Sequence, residues 1–298
     1  MSELAEPMTR EIPASPLGVL SDDPHFGALI ASLRKLGNVA VAFSGGVDSA
    51  FLVYVARLSL GREAVQAITA VSPSLGQGEF EHCEHLAQAW DIRFLSVRTA
   101  EMENPNYVAN AHDRCYWCKV ELMNSIRPII EATDSKVVLG VNVDDLGEYR
   151  PGQQAALEAG AKFPLVDAGY TKELIRQHSR KLGLSTWDRP QSACLSSRIP
   201  YGTSVSVPIL SRLDRAETSL KRLGFSQVRV RHYDSIARIE FLLEDFDRVM
   251  AKRSEIIAAI RDAGYRYVTI DLEGFRSGNL NSKNGPGSSM ETPRLTSL

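Results

Sequence analysis

The stretch Val39-Ala-Val-Ala-Phe43 runs directly into Ser44-Gly-Gly-Val-Asp-Ser49, and this junction constrains the chain more than any other feature. Five consecutive apolar residues predict a strand buried on both faces. Two glycines then allow a sharp turn, and the apolar run from Ala50 to Leu58 predicts a helix that opens at once. The start of a helix presents unpaired N–H groups and the positive end of its dipole, and glycines let an anion come close to the main chain. The segment Ser44, Gly45, Gly46, Val47, Asp48, Ser49 therefore reads as a phosphate cradle. Ser44 and Ser49 add hydroxyl donors, and Asp48 can hold Mg2+ against the phosphates. An ordinary capped turn would need only the glycine pair. The cradle is not a Walker A loop, because it has no Gly-Lys followed by Ser or Thr and so no lysine for the terminal phosphates.

Strands and helices alternate beyond it. Strands are expected near Ala64–Val71, Ile92–Val97 and Lys136–Val141, and helices near Gly78–Trp90, Tyr116–Ala132 and Lys172–Leu182, the last with Thr171 as N-cap. This order predicts an α/β fold, a doubly wound parallel sheet with its ligand at the carboxyl ends of the strands. After Pro200 the pattern changes to a smaller α+β domain. One helix carries Leu210, Leu213, Ala216 and Leu220, two strands cover Gln227–Tyr233 and Ile236–Leu243, a helix runs from Phe246 to Ile260, and a last strand spans Arg266–Leu272. The expected organisation is a flexible leader over 1–24, a nucleotide domain over 25–200, the small domain over 201–280 and a disordered tail over 281–298. A chain of 298 residues with 44% hydrophobic and 23% charged residues suits a globular protein of two such domains. Its apolar runs fall well short of the roughly 20 residues that span a bilayer. The leader has no signal-peptide core, so a cytoplasmic location is expected. A net charge of −2 weighs against a nucleic-acid partner.

Four cysteines in such a chain point to reactive or metal-binding thiols rather than structural disulfides. Cys194 lies in a turn-rich joint between the two domains, where it is either a thiolate favoured by a cation such as Arg198 or a small packed residue. Cys115 and Cys118, in Arg114-Cys-Tyr-Trp-Cys-Lys119, can share one metal, form one disulfide, or simply pack. Cys83 reads as a packing residue, with His82 and His85 on a solvated helix face. In the small domain, alternation puts Arg229 and Arg231 on one strand face, with Arg238 and Glu240 sharing a face of the next. Such guanidiniums suit a phosphate, or else form a salt-bridged surface.

Ser44–Ser49 resembles the PP-loop of the ATP pyrophosphatase superfamily, which implies adenylation: ATP activates an oxygen of the substrate, and pyrophosphate leaves intact. The run Ala193-Cys-Leu-Ser-Ser-Arg-Ile-Pro-Tyr-Gly202 is similar to the signature of LarE-type sulfur transferases, which act in synthesis of the nickel-pincer nucleotide cofactor of lactate racemase. The segments Gly147-Glu-Tyr-Arg-Pro-Gly152, Ala216-Glu217, Arg229-Val-Arg231 and Ala237-Arg-Ile-Glu240 extend the likeness, which spans about Phe26 to Asn279. The resemblance implies that ATP and Mg2+ adenylate the carboxylates of pyridinium-3,5-biscarboxylic acid mononucleotide, and that sulfur displaces AMP to give thiocarboxylates. It implies Arg229 and Arg231 as binders of the substrate phosphate, and Glu217 and Glu240 as metal or acid–base groups. Family members with one cysteine matching Cys194 give up its sulfur. Others carry the three-cysteine pattern seen here, which implies that Cys115, Cys118 and Cys194 ligate a [4Fe-4S] cluster whose open iron takes sulfide from a donor. The resemblance also implies a homo-oligomer, with a hexamer as one form. A tRNA thiolase of the same superfamily and a nucleotide-sensing module without turnover are the competing readings.

Overall fold

The computed structural model describes residues 16–147, 150–190 and 193–276. The expected tail over 281–298 and most of the expected leader lie outside the described residues. The leader's last part is ordered: Pro16–Leu20 forms a 3-10 turn, and Leu20 is buried in the core.

The first unit runs α1 (Pro24–Leu36), β1 (Val39–Ala42), α2 (Val47–Leu60), β2 (Val65–Val71), α3 (Gln77–Ala89), β3 (Arg93–Arg98), α4 (Pro105–Val108), α5 (Arg114–Ala132), β4 (Lys136–Leu139), α6 (Pro151–Glu158), α7 (Pro164–Asp167) and α8 (Lys172–Lys181). Its four strands are parallel in the order β3-β2-β1-β4. Strand alternation sorts the side chains into two cores. Val39 and Val41 join Val65, Ala67 and Val138 under Phe26, Leu29, Phe51 and Leu52 of α1 and α2. Ala40 joins Ile68, Val137 and Leu139 under Leu122, Met123 and Ile126 of α5 and Ala156 of α6. Helices therefore cover both faces, as the near-continuous apolar strands require. The strand order reverses direction at β1, and the crevice at such a switch point is where ligands of this architecture bind.

The second unit comprises α9 (Val207–Arg222), β5 (Val228–Tyr233), β6 (Ile236–Phe241), α10 (Phe246–Ala251), α11 (Arg253–Asp262) and β7 (Tyr267–Ile270). β5 and β6 form an antiparallel hairpin turned at Asp234, whose φ is 50°, and β7 lies parallel to β6. Leu210, Leu213, Ala216 and Leu220 of α9 cover Val228, Val230, Ile239 and Phe241. The single helix expected over Phe246–Ile260 is two, because Lys252 leaves helical geometry between α10 and α11 and carries its ammonium to the Leu223 carbonyl, 3.2 Å away. Among the described residues no helix is long and apolar enough to cross a membrane.

Candidate functional site

The cradle stands at the carboxyl end of β1. Gly45 has a φ of 70°, and a Cβ there would lie 2.9 Å from both Cys83 Sγ and His82 Cδ2, so dihedral and space alike require glycine. Gly46 is the N-cap of α2 and has no side-chain capping bond. The Ser44 and Ser49 hydroxyls lie 3.2 Å apart, and Ser49 Oγ also accepts from the Ser44 N–H and donates to the Gly46 carbonyl. Two hydroxyls that bond each other can turn to an incoming anion at little cost.

Asp48 meets a partner that the hexapeptide lacks. Lys172 Nζ, from the first turn of α8, sits 2.5 Å from Asp48 Oδ2, while the Lys172 N–H donates to Asp144 Oδ2 at 2.7 Å. Asn142 Nδ2 reaches Asp48 Oδ1 at 3.5 Å and exchanges hydrogen bonds with Asp145, whose carboxylate pairs with Arg150 at 2.9 Å. Burial, and then the Asp48 charge, push the Asp145 carboxyl above its usual range. Sequence reasoning missed Lys172, Asn142 and Asp145. The one available signal was a lysine in the first turn of a helix, where the dipole disfavours it.

Cys194 is exposed at the head of a loop tied down from both units. The Leu195 N–H donates to the Ser74 carbonyl just beyond β2, at 2.9 Å. From the helix side, the buried Arg114 donates to the Ser196 carbonyl at 2.9 Å and to Asn110 Oδ1 at 2.5 Å, and the Tyr107 and Ser196 hydroxyls lie 2.6 Å apart. From the second unit, Arg231 Nη1 donates to the Ser197 carbonyl at 2.8 Å. Arg198 donates to the carbonyls of Ala193 and Cys194, and grips Glu217 with two bonds of 2.8 and 3.0 Å. Arg198 thus fixes the main chain that presents the thiol.

Cys115 and Cys118 open α5 beside this loop, and all four cysteines are free. Desolvation of the sulfurs, and then the charge of Cys194, raise both thiols, Cys118 to about 12. Among the described residues no three of His, Cys, Asp and Glu are grouped to hold a metal ion. Cys83 is apart from them, fully buried under Gly45, with its thiol pushed up to about 11 by burial.

The hairpin sets Arg229 opposite Glu240 and Arg231 opposite Arg238. Arg231 and Arg238 both hold the fully buried Glu240, Arg231 by two bonds of 2.9 and 2.8 Å and Arg238 by one of 3.2 Å. Burial, followed by the charges of Arg198 and Arg231, lowers Arg229 to about 10. An anion beside Arg229 would relieve that repulsion. Glu217 and Glu240 are each paired with guanidiniums, and Glu217 also accepts from the Val230 N–H at 3.0 Å, so both are buried counter-charges in this structure. His82 differs from expectation, because its Nε2 is buried against the cradle instead of solvated.

No family model matches the chain. It is 47% identical over 250 residues to an uncharacterised protein of Synechocystis sp., covering 83% of this chain and 93% of the relative. Over 254 residues it is 35% identical to the pyridinium-3,5-bisthiocarboxylic acid mononucleotide synthase of Lactiplantibacillus plantarum, covering 85% and 92%. An uncharacterised protein of Methanocaldococcus jannaschii is 27% identical over 244 residues, covering 82% and 92%.

Proposed function

Because this chain belongs to the family of pyridinium-3,5-bisthiocarboxylic acid mononucleotide synthase, the LarE-type family, we propose that it is an ATP-dependent sulfur transferase acting on pyridinium-3,5-biscarboxylic acid mononucleotide. The reading rests on one observation above others. The loop bearing Cys194 docks at the carboxyl end of β2, next to the strand that carries the phosphate cradle, and is gripped by Arg231 of the second unit.

In this reading the cradle holds the β- and γ-phosphates of ATP, and Asp48 would hold Mg2+, which would supply charge neutralisation for the departing pyrophosphate. Lys172 is then released from Asp48 to a phosphate oxygen, a swap of one ionic partner for another. A substrate carboxylate attacks the α-phosphorus, the bond to the bridging oxygen breaks, and pyrophosphate departs, leaving an acyl-adenylate. Arg229, beside Arg198 and Arg231, receives the substrate phosphate, while Glu217 and Glu240 keep those guanidiniums in place. Sulfur then displaces AMP at the acyl carbon.

The donor set at the Cys194 loop fits an iron–sulfur cluster. Three free thiols influence one another electrostatically, and a four-iron cluster is wider than the single ion for which no grouping exists among the described residues. Cys115, Cys118 and Cys194 would hold a [4Fe-4S] cluster, which supplies an open iron for exogenous sulfide. The chain's own contribution is to hold the Cys194 loop in place through Arg114, Arg198, Arg231 and the Ser74 carbonyl.

Phosphorus NMR of a mixture containing ATP, Mg2+ and the pyridinium substrate tests the proposal. AMP and pyrophosphate should appear only when the substrate is present. ADP as the main product would refute it.

A further inference from the structure

His82 carries an unexplained polar atom. Its Nε2 is buried and lacks a hydrogen-bond partner, one of four such side-chain atoms among the described residues. Buried polar atoms without partners are uncommon enough that each needs an account. The ring lies against the cradle, with its Cδ2 2.9 Å from where a Gly45 Cβ would stand and Nε2 at 3.7 Å from the same point. The Gly45 main chain favours its protonated form. Burial lowers the imidazole, Arg189 and His85 add to that, and Glu79 opposes it.

The helix that carries His82 is anchored, so the ring can act on the loop. Asp214 Oδ1 of α9 lies 3.1 Å from where a Gly76 Cβ would stand, so α9 packs against the start of this helix. Glu79 pairs with Arg189 at 2.8 Å and with Lys221 of α9 at 4.0 Å.

We propose that His82 positions the phosphate cradle: when pyrophosphate occupies the loop, Nε2–H donates to the Gly45 carbonyl and turns the Gly46 N–H toward the anion. A peptide unit is planar, and in the trans form its carbonyl and N–H point in opposite directions. A donor fixed on the Gly45 oxygen therefore aims the N–H of the same peptide away from α3, into the mouth of the loop. The bond also polarises that N–H, which strengthens the contact to a phosphate oxygen. Nε2 makes no such bond in this structure. The loop's two glycines give the peptide the freedom to rotate, and the anion supplies the force.

The inference rests on the reading of Ser44–Ser49 as a pyrophosphate site, and titration of the full chain with inorganic pyrophosphate and Mg2+ separates the two. Wild-type protein that does not bind pyrophosphate removes both. If it binds, His82→Phe, which keeps the packing and loses the donor, should bind about three- to tenfold more weakly, the range of one hydrogen bond. His82→Gln should recover part of that loss. The 15N resonance of His82 Nε2 in the wild type should move to a hydrogen-bonded donor position on saturation. Equal affinities of wild type and His82→Phe, or an unmoved Nε2 resonance, would overturn the proposal.

Discussion

Replacing Arg198 with Ala should be among the most damaging single changes in the chain. Its guanidinium and the Glu217 carboxylate are 3% and 4% exposed and joined by two hydrogen bonds, so removing one leaves a buried charge without its partner. Breaking such a pair costs about 3–5 kcal/mol, far above the 0–1 kcal/mol of a surface pair. Arg198→Ala also frees the carbonyls of Ala193 and Cys194, so the Cys194 loop should loosen as stability falls. The pH dependence carries a second test. Burial raises the Glu217 carboxyl, but Arg198 outweighs it and holds the group below its ordinary 4.5. That stabilisation is full above 4.5 and fades as pH drops through the folded value. In the variant burial dominates and Glu217 takes up a proton more readily, so the deficit should be largest near neutral pH and shrink below about 4.5. Urea unfolding of both proteins across that range measures it. Because a buried pair can be exchanged for apolar side chains, Arg198→Met with Glu217→Met should recover most of the stability while activity stays lost. A deficit below about 1 kcal/mol, or one that does not change with pH, would refute the reasoning.

Lys172→Met should weaken Mg·ATP binding by about tenfold or more, the scale of a hydrogen bond to a charged group, with little change in melting temperature; unchanged nucleotide affinity in calorimetry would confine Lys172 to its pair with Asp48. Arg229→Ala should weaken binding of the pyridinium mononucleotide by about 1.5–3 kcal/mol and leave ATP affinity unaltered, and an equal loss for ATP would move Arg229 to the nucleotide. His178 is 1% exposed, between Asp23 and Tyr170, and burial holds it below its ordinary 6.5; stability should therefore decline as pH falls below 6.5, and His178→Gln should flatten that slope in thermal melts. Anaerobically reconstituted protein should bind about four irons per chain, each of Cys115→Ala, Cys118→Ala and Cys194→Ala should remove most of them, and Cys83→Ala should leave them in place. Loss of one H₂S from Cys194 in iron-free protein after a single round, read by mass spectrometry, would establish the sacrificial route instead.

The parts of the fold that were legible in the sequence are those whose burial writes a period into the chain. Val39–Phe43 and Val137–Leu139 are apolar without interruption because helices cover both faces of the sheet, and α9 is legible from Leu210, Leu213, Ala216 and Leu220 because it covers only one. The sharing of one face by Arg229 and Arg231 follows from the same period of two, whereas the pairing of Arg229 with Glu240 is set by the turn at Asp234. What composition and spacing could not show is which charged residue meets which. Glu217 and Glu240 look like ready acids in one dimension, and only the packing of α9 and β6 against Arg198 and Arg231 turns them into counter-charges. Lys172 arrives at Asp48 across 124 residues, because α2 and α8 start side by side, and no local pattern encodes that meeting beyond the ill-placed charge in a first helical turn. His82 carries no apolar signature, so it reads as solvated. The space that receives it is made by the missing side chain of Gly45, 37 residues earlier in the chain. In each case the residue is a polar group whose surroundings are built by another element, and such meetings determine where charge sits in the site without leaving a periodic trace.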